Sequence, residues 1–329
     1  MNKPNFYQRL ISFYRDKRQR LREYVLAPVV FKIMDIVGFK RHLPFSCTGT
    51  EAQELIYRKL QSGQPCMIGR IGASEIRTVE GTLHKNDPWW KKLKWRLTLH
   101  QTGVAAEYLK FFQSIDDNVN DEFFEKFADT VLDGIAQLDV FASWRWEETE
   151  VFPKDYQCDI ISLWDLEPFM FPNPWTRALK GRKVLVIQPF ANNIQAQYAH
   201  REKLFKNPDV LPEFQLQTYV PFFKGLRDNP GPKDWFGNLE CMKKEIGELD
   251  FDVALIAAGP YGFPLAAHIK KMGRQAVVAG GVLQMFFGIK GARWDNVPAY
   301  NAFYNEYWIR PGENCKPAGY TRIDGGCYW

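Results

Sequence analysis

The chain has 329 residues, a formal net charge of +5 and an aromatic content of 15%. This length can bury a sizeable core, and so weak a positive charge gives no indication of a nucleic acid partner, which we do not expect. The six cysteines form no CxxC pair, which argues against a zinc knuckle and favours reduced thiols in a cytoplasmic protein. No stretch reaches the ~20 consecutive apolar residues of a membrane span.

Residues 1–44 are predicted to form a basic amphipathic helical segment that is separate from the rest of the chain. Between residues 6 and 24, apolar side chains such as Leu10 and Phe13 recur at helical spacing among arginines and lysines. Such a helix can lie on an anionic membrane surface or pack on the main domain, and the sequence leaves both open. Residues 45–329 are predicted to form one α/β domain.

Short apolar runs alternate with segments of helical periodicity from residue 48 onward, and the clearest strand is RKVLVIQ at 182–188. This alternation predicts an α/β fold with a Rossmann-like, doubly wound, mostly parallel sheet and helices on both faces. We expect Thr48 or Thr50 to cap the first helix. The predicted strands are 64–71, 159–163, 182–188, 214–220, 253–258 and 275–279. The predicted helices are 48–60, 76–83, 103–116, 120–138, 194–205, 235–249, 264–272 and 282–289.

Two glycine-rich turns follow the last two predicted strands. The first contains Gly259, Tyr261 and Gly262, and the second contains Gly280 and Gly281. Glycine allows a ligand to approach the backbone, and the free amides of a following helix can bind phosphate. Because such junctions also occur in α/β proteins that bind no phosphate, a plain structural turn is the alternative. Gln284 and Arg293, which follow the second turn, are further candidate ligands of a bound nucleotide.

A third turn, after the strand at 64–71, carries Arg70, Gly72, Ser74 and Glu75. Glu75 is a candidate base or metal ligand, and Arg70 is a candidate partner for a diphosphate. Alternatively, Ser74 caps the helix and Glu75 stabilises its positive end.

Asp165 and Glu167 follow the strand at 159–163 and are candidate ligands for Mg²⁺ or Mn²⁺, together with Glu75. An ordinary polar loop is the alternative. No metal-binding histidine spacing and no GxSxG motif is present.

Four polar residues at or after the strand at 182–188 are predicted to orient a polar ligand. They are Gln188, Asn192, Gln197 and Arg201. Gln197 and Arg201 are four residues apart and would share one face of the predicted helix.

The turn CMIGRIGASE, residues 66–75, resembles the R-F-G-D-G-E turn of bacterial glycosyltransferases with the GT-D fold. The blocks VIQPFANNIQAQY, AAGPYGFPLAAHIKKMG, GGVLQMFFGIKGARW and GGCYW are similar to proteins encoded with capsule and surface polysaccharide genes. The resemblance covers about residues 45–329. Arg70, Gly72 and Glu75 match residues of the family's turn. Ala73 stands where the family has Asp, and Ser74 stands where the family has its second Gly.

The resemblance implies a glycosyltransferase that moves a sugar from a nucleotide-sugar donor to a capsule or O-antigen type acceptor, which is a glycan or lipid-linked glycan. We expect a cytoplasmic protein at the inner membrane face, and peripheral membrane contact through residues 6–24 is one of the two roles left open for that segment. The resemblance also implies Mg²⁺ or Mn²⁺, although the change at Ala73 leaves a metal-free mechanism open. The alternative is a non-catalytic nucleotide-sugar-binding or assembly protein of a polysaccharide biosynthesis complex.

Overall fold

Seven short strands pair side by side into one sheet in the order β3-β2-β1-β7-β6-β4-β5. The computed structural model describes residues 42–88, 120–223, 234–317, 320–322 and 324–329. Every pairing between neighbouring strands is parallel, which confirms the predicted α/β class. The strands are β1 (Cys66–Gly69), β2 (Val140–Ser143), β3 (Asp159–Ser162), β4 (Lys183–Ile187), β5 (Gln215–Tyr219), β6 (Val253–Ile256) and β7 (Gln275–Val278).

Helices cover both faces of this sheet, as the sequence predicts. Successive strand residues point to opposite sides, so Met67 belongs to one core cluster and Ile68 to the other. Burial on both faces explains why the inner strands read as continuous apolar runs. The helices are α1 (Thr50–Gln61), α2 (Ala73–Leu83), α3 (Asp121–Ile135), α4 (Glu148–Val151), α5 (Ala191–Tyr198), α6 (Arg201–Leu204), α7 (Trp235–Gly247), α8 (Gly262–Lys271), α9 (Leu283–Phe286) and α10 (Pro298–Asn301). Helices α2, α3, α7 and α8 pack on one face, and α1 and α5 pack on the other.

Three of the differences between the structure and the sequence-based elements have a clear physical reason. Strand β2 is absent from the predicted set because its four residues follow directly on the apolar pattern of α3. The N-cap of α1 is Gly49, with a φ of 62° and no side-chain cap, so neither Thr48 nor Thr50 caps that helix. The predicted helix 194–205 is two helices, α5 and α6, because the chain leaves helical geometry at His200.

The strand order creates a topological switch point between β1 and β7. From β1 the chain moves outward to β2 and β3, and then crosses to β4 and β5 at the opposite edge. Loops therefore diverge at the carboxyl ends of β1 and β7, which is where open α/β sheets bind their ligands. The close approach of the two strands requires Gly69, because a Cβ there would lie 2.6 Å from the Cβ of Val278.

No helix in the described part of the chain combines the length and the apolar character that crossing a membrane requires. The predicted amphipathic helix at residues 6–24 and the predicted helix at 103–116 lie outside the described residues. Membrane contact through residues 6–24 and the boundary between residues 44 and 45 therefore stay predictions.

Candidate functional site

A cavity of about 230 Å³ opens at the carboxyl ends of β1, β7, β6 and β4. It lies at the switch point, and its charged lining residues are Arg70, Glu75 and Arg293. Ten residues predicted from the sequence as site residues line it: Arg70, Gly72, Ser74, Glu75, Gln188, Gly259, Gly280, Gly281, Gln284 and Arg293. The structure thus brings three separate predicted turns together in one cavity.

Arg70 follows β1 directly and reaches across to the turn after β7. A side chain at Gly280 would overlap the Arg70 guanidinium, with its Cβ 2.5 Å from Cζ of Arg70. On its other side the guanidinium carbon lies 6.0 Å from the centre of the Trp144 ring. Arg70 is therefore held between a glycine turn and an aromatic ring at the cavity wall, a position from which its planar fork can bind oxyanions.

Glu75 is the third residue of α2 and turns its carboxylate back over the N-cap residue, Gly72. A Cβ at Gly72 would lie 2.6 Å from Oε1 of Glu75, so the missing side chain makes room for the carboxylate. Helix α2 begins at Ala73, which makes Ser74 the second helical residue and excludes it as the N-cap. An acidic third residue favours the positive end of a helix, and Glu75 also lines the cavity.

Trp144 forms the cavity wall beside Arg70 and directly follows β2. Neither this residue nor the strand was predicted from the sequence. The indole Nε1 of Trp144 donates to the carbonyl oxygen of Ile71 at 3.2 Å, and its backbone amide donates to Oε2 of Glu148 at 3.0 Å. The hydroxyl of Ser143 also donates to Glu148. Burial raises the pKa of Glu148 from 4.5 to about 7, although the hydrogen bonds from Ser143 and from the amides of Arg145 and Trp144 lower it.

The raised pKa of Glu148 predicts that the protein loses stability as the pH rises. Between about pH 4.5 and pH 7 the unfolded chain releases the Glu148 proton and the folded chain keeps it. We expect Glu148→Gln, which stays neutral, to match the wild type at pH 4.5 and to be more stable by about 3 kcal/mol at pH 8. Urea unfolding at both pH values measures this difference. A difference that is the same at both pH values would contradict the prediction, and Glu202→Gln at an exposed site is the control.

Gly280 has a φ of 70°, and its lack of a side chain makes room for Arg70. We expect Gly280→Ala to lower the unfolding free energy by about 1–2 kcal/mol, because a left-handed conformation is strained for alanine, and to weaken anion binding by displacing Arg70. Gly273→Ala is the matched control, since Gly273 has a φ of 84° with no atom within 4 Å of an added Cβ. Thermal denaturation and pyrophosphate titration of both variants test this. Equal loss of anion affinity in both would contradict it.

Residues 324–329 border the cavity beside the residues that follow β7. The Gln284 Nε2 donates to the Tyr328 carbonyl oxygen at 3.1 Å, and the Arg293 amide donates to the Cys327 carbonyl oxygen at 2.9 Å. The Arg293 guanidinium carbon lies 4.7 Å from the centre of the Tyr328 ring. Tyr328 and Trp329 both line the cavity, and the Oε1 of Gln284 is buried without a hydrogen-bond partner among the described residues.

Five residues predicted to bind the donor do not line this cavity. Gln197 points into the protein and donates to the carbonyl oxygens of Gly288 and Tyr307, while Arg201 pairs with Glu202 and Glu213. The break after α5 removes the shared helix face expected for Gln197 and Arg201. The other three are Asn192, which is exposed, and Tyr261 and Gly262, which are buried.

The carboxylates of Asp165 and Glu167 also lie outside the cavity lining, and each has partners of its own. Asp165 accepts hydrogen bonds from the amides of Gly49 and Ser162, and its pKa is raised by burial. Glu167 accepts from the Tyr300 hydroxyl at 2.8 Å, and burial raises its pKa to about 7. These hydrogen bonds hold the loop after β3 in place and connect α10 to it. Their predicted metal role stays a prediction.

The cavity lining supplies one side-chain carboxylate toward a metal ion, too few to hold the ion without phosphate oxygens from a bound ligand. Glu75 is the one carboxylate among the described lining residues, and Ala73 stands where the resemblance places a second. In the described part of the chain, no group of three or more histidine, cysteine, aspartate or glutamate side chains is placed to hold a metal. Two guanidinium groups line the same cavity instead.

The site residues predicted from the sequence include none of the aromatic residues that line the cavity. Trp144 became a candidate only with β2, whose signal is the apolar run at 140–142. Phe190, Tyr328 and Trp329 line the cavity through long-range packing that no local spacing reveals. The richness of residues 295–329 in tyrosine, tryptophan, asparagine and glycine is a sequence signal that could have indicated the last two.

No protein-family model matches the sequence, and no curated protein matches it significantly. Among solved structures, the chain is similar to one described as a selenomethionine-substituted domain of unknown function 1792, with 12% sequence identity and a TM-score of 0.35. The similarity covers 81% of this chain and 95% of that one. A similarity this weak carries no information on the function of this chain.

Proposed function

We propose that the protein is a glycosyltransferase that binds a nucleotide-sugar donor in the cavity between β1 and β4. The observation that carries the proposal is the placement of Arg70 and Arg293 with the glycine turns at the switch point. Guanidinium groups bind phosphate oxygens with paired hydrogen bonds, and glycine turns let the diphosphate approach the backbone. The formal charges of the lining, two positive and one negative, favour an anionic ligand.

In the proposed reaction, Glu75 takes a proton from an acceptor hydroxyl, and that oxygen attacks the anomeric carbon of the donor sugar. The bond from this carbon to the phosphate oxygen breaks, and the nucleoside diphosphate leaves with the electron pair. Arg70 and Arg293 stabilise the charge that develops on the leaving group, as positioned cations do in phosphate-dependent transfers. The acceptor is a hydroxyl of a surface glycan or lipid-linked glycan, which follows from the sequence resemblance.

The experiment is to incubate the purified protein with a panel of nucleotide sugars, with and without EDTA, and to measure released nucleoside diphosphate. We expect slow hydrolysis of at least one donor, unaffected by EDTA, because the two arginines replace a metal at the diphosphate. Hydrolysis that EDTA abolishes would contradict the metal-free part of the proposal. If no donor is hydrolysed and none raises the thermal midpoint, the proposed function is wrong.

A second candidate is a non-catalytic nucleotide-sugar-binding protein of a polysaccharide assembly complex. It is favoured by the position of Glu75, whose carboxylate folds over the N-cap of α2 as an ordinary helix-stabilising acid would. On this alternative the donor binds but is not cleaved, and Glu75→Gln leaves pathway output unchanged. Deletion of residues 1–40 would then abolish that output.

A further inference from the structure

Trp329 lines the cavity next to Phe190, on the side of β4. Its ring packs edge-on against the buried ring of Phe190, which follows β4, with 5.8 Å between the ring centres. The indole Nε1 donates to the carbonyl oxygen of Cys315 at 2.8 Å, and the Trp329 carbonyl oxygen accepts from the amide of Ala292 at 3.2 Å. The ring is therefore fixed in orientation, and it is partly exposed at the cavity.

The strand order sets the distance between this ring and the proposed reaction centre. Glu75 belongs to the turn after β1, and Phe190 to the turn after β4, three strands along the sheet. Neighbouring strands lie about 4.8 Å apart, so the two turns are separated by about 14 Å. An extended nucleotide sugar can cover such a span, with its sugar at one end and its base at the other.

The cations of the cavity lie near the turn after β7, and β7 stands between β1 and β4 in the sheet. Arg70 contacts the turn at Gly280 after β7, and the Tyr328 ring packs against the neighbouring Gly281. Arg293 lies over that same Tyr328 ring. A diphosphate bound by these two arginines leaves its sugar on the β1 side, near Glu75, and its nucleoside on the β4 side, near Trp329.

We infer that Trp329 stacks on the base of the bound nucleotide and that Phe190 supports it from behind. This inference rests on the proposed function and adds a residue that contacts the base. An aromatic ring that is partly exposed at a cavity can stack on any planar heterocycle, and a tryptophan fixed by its own hydrogen bond loses little freedom when it does so. The buried Oε1 of Gln284, next to the same segment, is an acceptor for a donor group that the nucleoside would bring.

The test is calorimetric titration of the full-length protein with two ligands. One is the nucleoside diphosphate that raises the thermal midpoint most, chosen from those of uridine, guanosine, adenosine, cytidine and thymidine. The other is inorganic pyrophosphate, which has no base. The variants are Trp329→Ala, Trp329→Phe and, as the matched control, Trp164→Ala, because Trp164 is 60% exposed and does not line the cavity.

We expect Trp329→Ala to weaken nucleoside diphosphate binding about 10-fold or more and to leave pyrophosphate binding unchanged. Trp329→Phe keeps an aromatic face and should retain most of the affinity, and Trp164→Ala should retain all of it. Unchanged nucleotide affinity in Trp329→Ala overturns the inference and leaves the proposed function standing. Equal weakening of both ligands also overturns it, since Trp329 would then act only on the shape of the cavity. A wild-type protein that binds none of the nucleotides overturns the proposed function as well.

Discussion

Replacement of Arg70 by alanine is expected to lower the affinity for a nucleoside diphosphate about 100-fold, equivalent to about 2.8 kcal/mol. The expected loss is large because removing one partner of a buried, charge-assisted hydrogen bond leaves the other unpaired, at a cost of about 2–5 kcal/mol. Arg70 can act in this way because Gly280 and Trp144 hold its guanidinium at the cavity wall. Calorimetric titration measures the effect, and the thermal midpoint shows whether the variant is folded.

Two further variants make the result specific to Arg70. Arg70→Lys should recover only part of the affinity, because an ammonium group cannot form the paired, planar contacts of a guanidinium. Arg201→Ala should bind as the wild type does, because Arg201 lies outside the cavity lining and pairs with the exposed Glu202 and Glu213. If Arg201→Ala loses affinity and Arg70→Ala does not, the donor binds elsewhere and the site is wrong.

Replacement of Glu75 by glutamine is expected to lower the turnover of the donor about 10²–10⁴-fold, the usual contribution of a general base. Glutamine keeps the size of the side chain over Gly72 and removes its ability to take a proton, so the affinity for the nucleoside diphosphate should be unchanged. Steady-state kinetics and titration of the same preparation separate the two effects. Glu248→Gln, at an exposed glutamate outside the cavity lining, is the control.

The outcome for Glu75 also decides among the acids named from the sequence. If Glu75→Gln keeps full turnover and Asp165→Asn or Glu167→Gln abolishes it, the reactive or metal-binding acid lies in the loop after β3. The hydrogen bonds of Asp165 to Gly49 and Ser162, and of Glu167 to Tyr300, lead us to expect the opposite. Substitution of these acids should then change stability and leave the turnover of the folded protein unchanged.

The fold could be predicted from the sequence because its strands are buried on both faces. The run at 182–188 and the glycine turns after β6 and β7 are local signals, and they define a parallel sheet with ligand turns at one edge. Strand β2 was not predicted because its apolar run, residues 140–142, is too short to show a period of its own so soon after the predicted helix 120–138. The predicted N-cap of α1 was wrong because Gly49, with its positive φ, occupies the N-cap position, and no side chain caps the helix.

The site could be predicted best where it is formed by residues close after a strand end. Arg70, Glu75, Gly259, Gly280 and Gly281 satisfy that condition, and the structure places all five at the cavity. The prediction failed for Gln197 and Arg201, because the predicted helix breaks between them and the Gln197 side chain points into the core. Trp144 is held in the wall by a hydrogen bond to Ile71, 73 residues away in the sequence, and Trp329 by one to Cys315, 14 residues away. Local sequence patterns cannot reveal such contacts.

The most direct test of the central claim is a crystal structure of the protein soaked with the nucleoside diphosphate that stabilises it most. We predict that the diphosphate lies at the carboxyl ends of β1 and β7, with its oxygens within hydrogen-bonding distance of the Arg70 guanidinium and near Arg293. A nucleotide bound outside this cavity, or a cavity that stays without nucleotide at a saturating concentration, would contradict the claim.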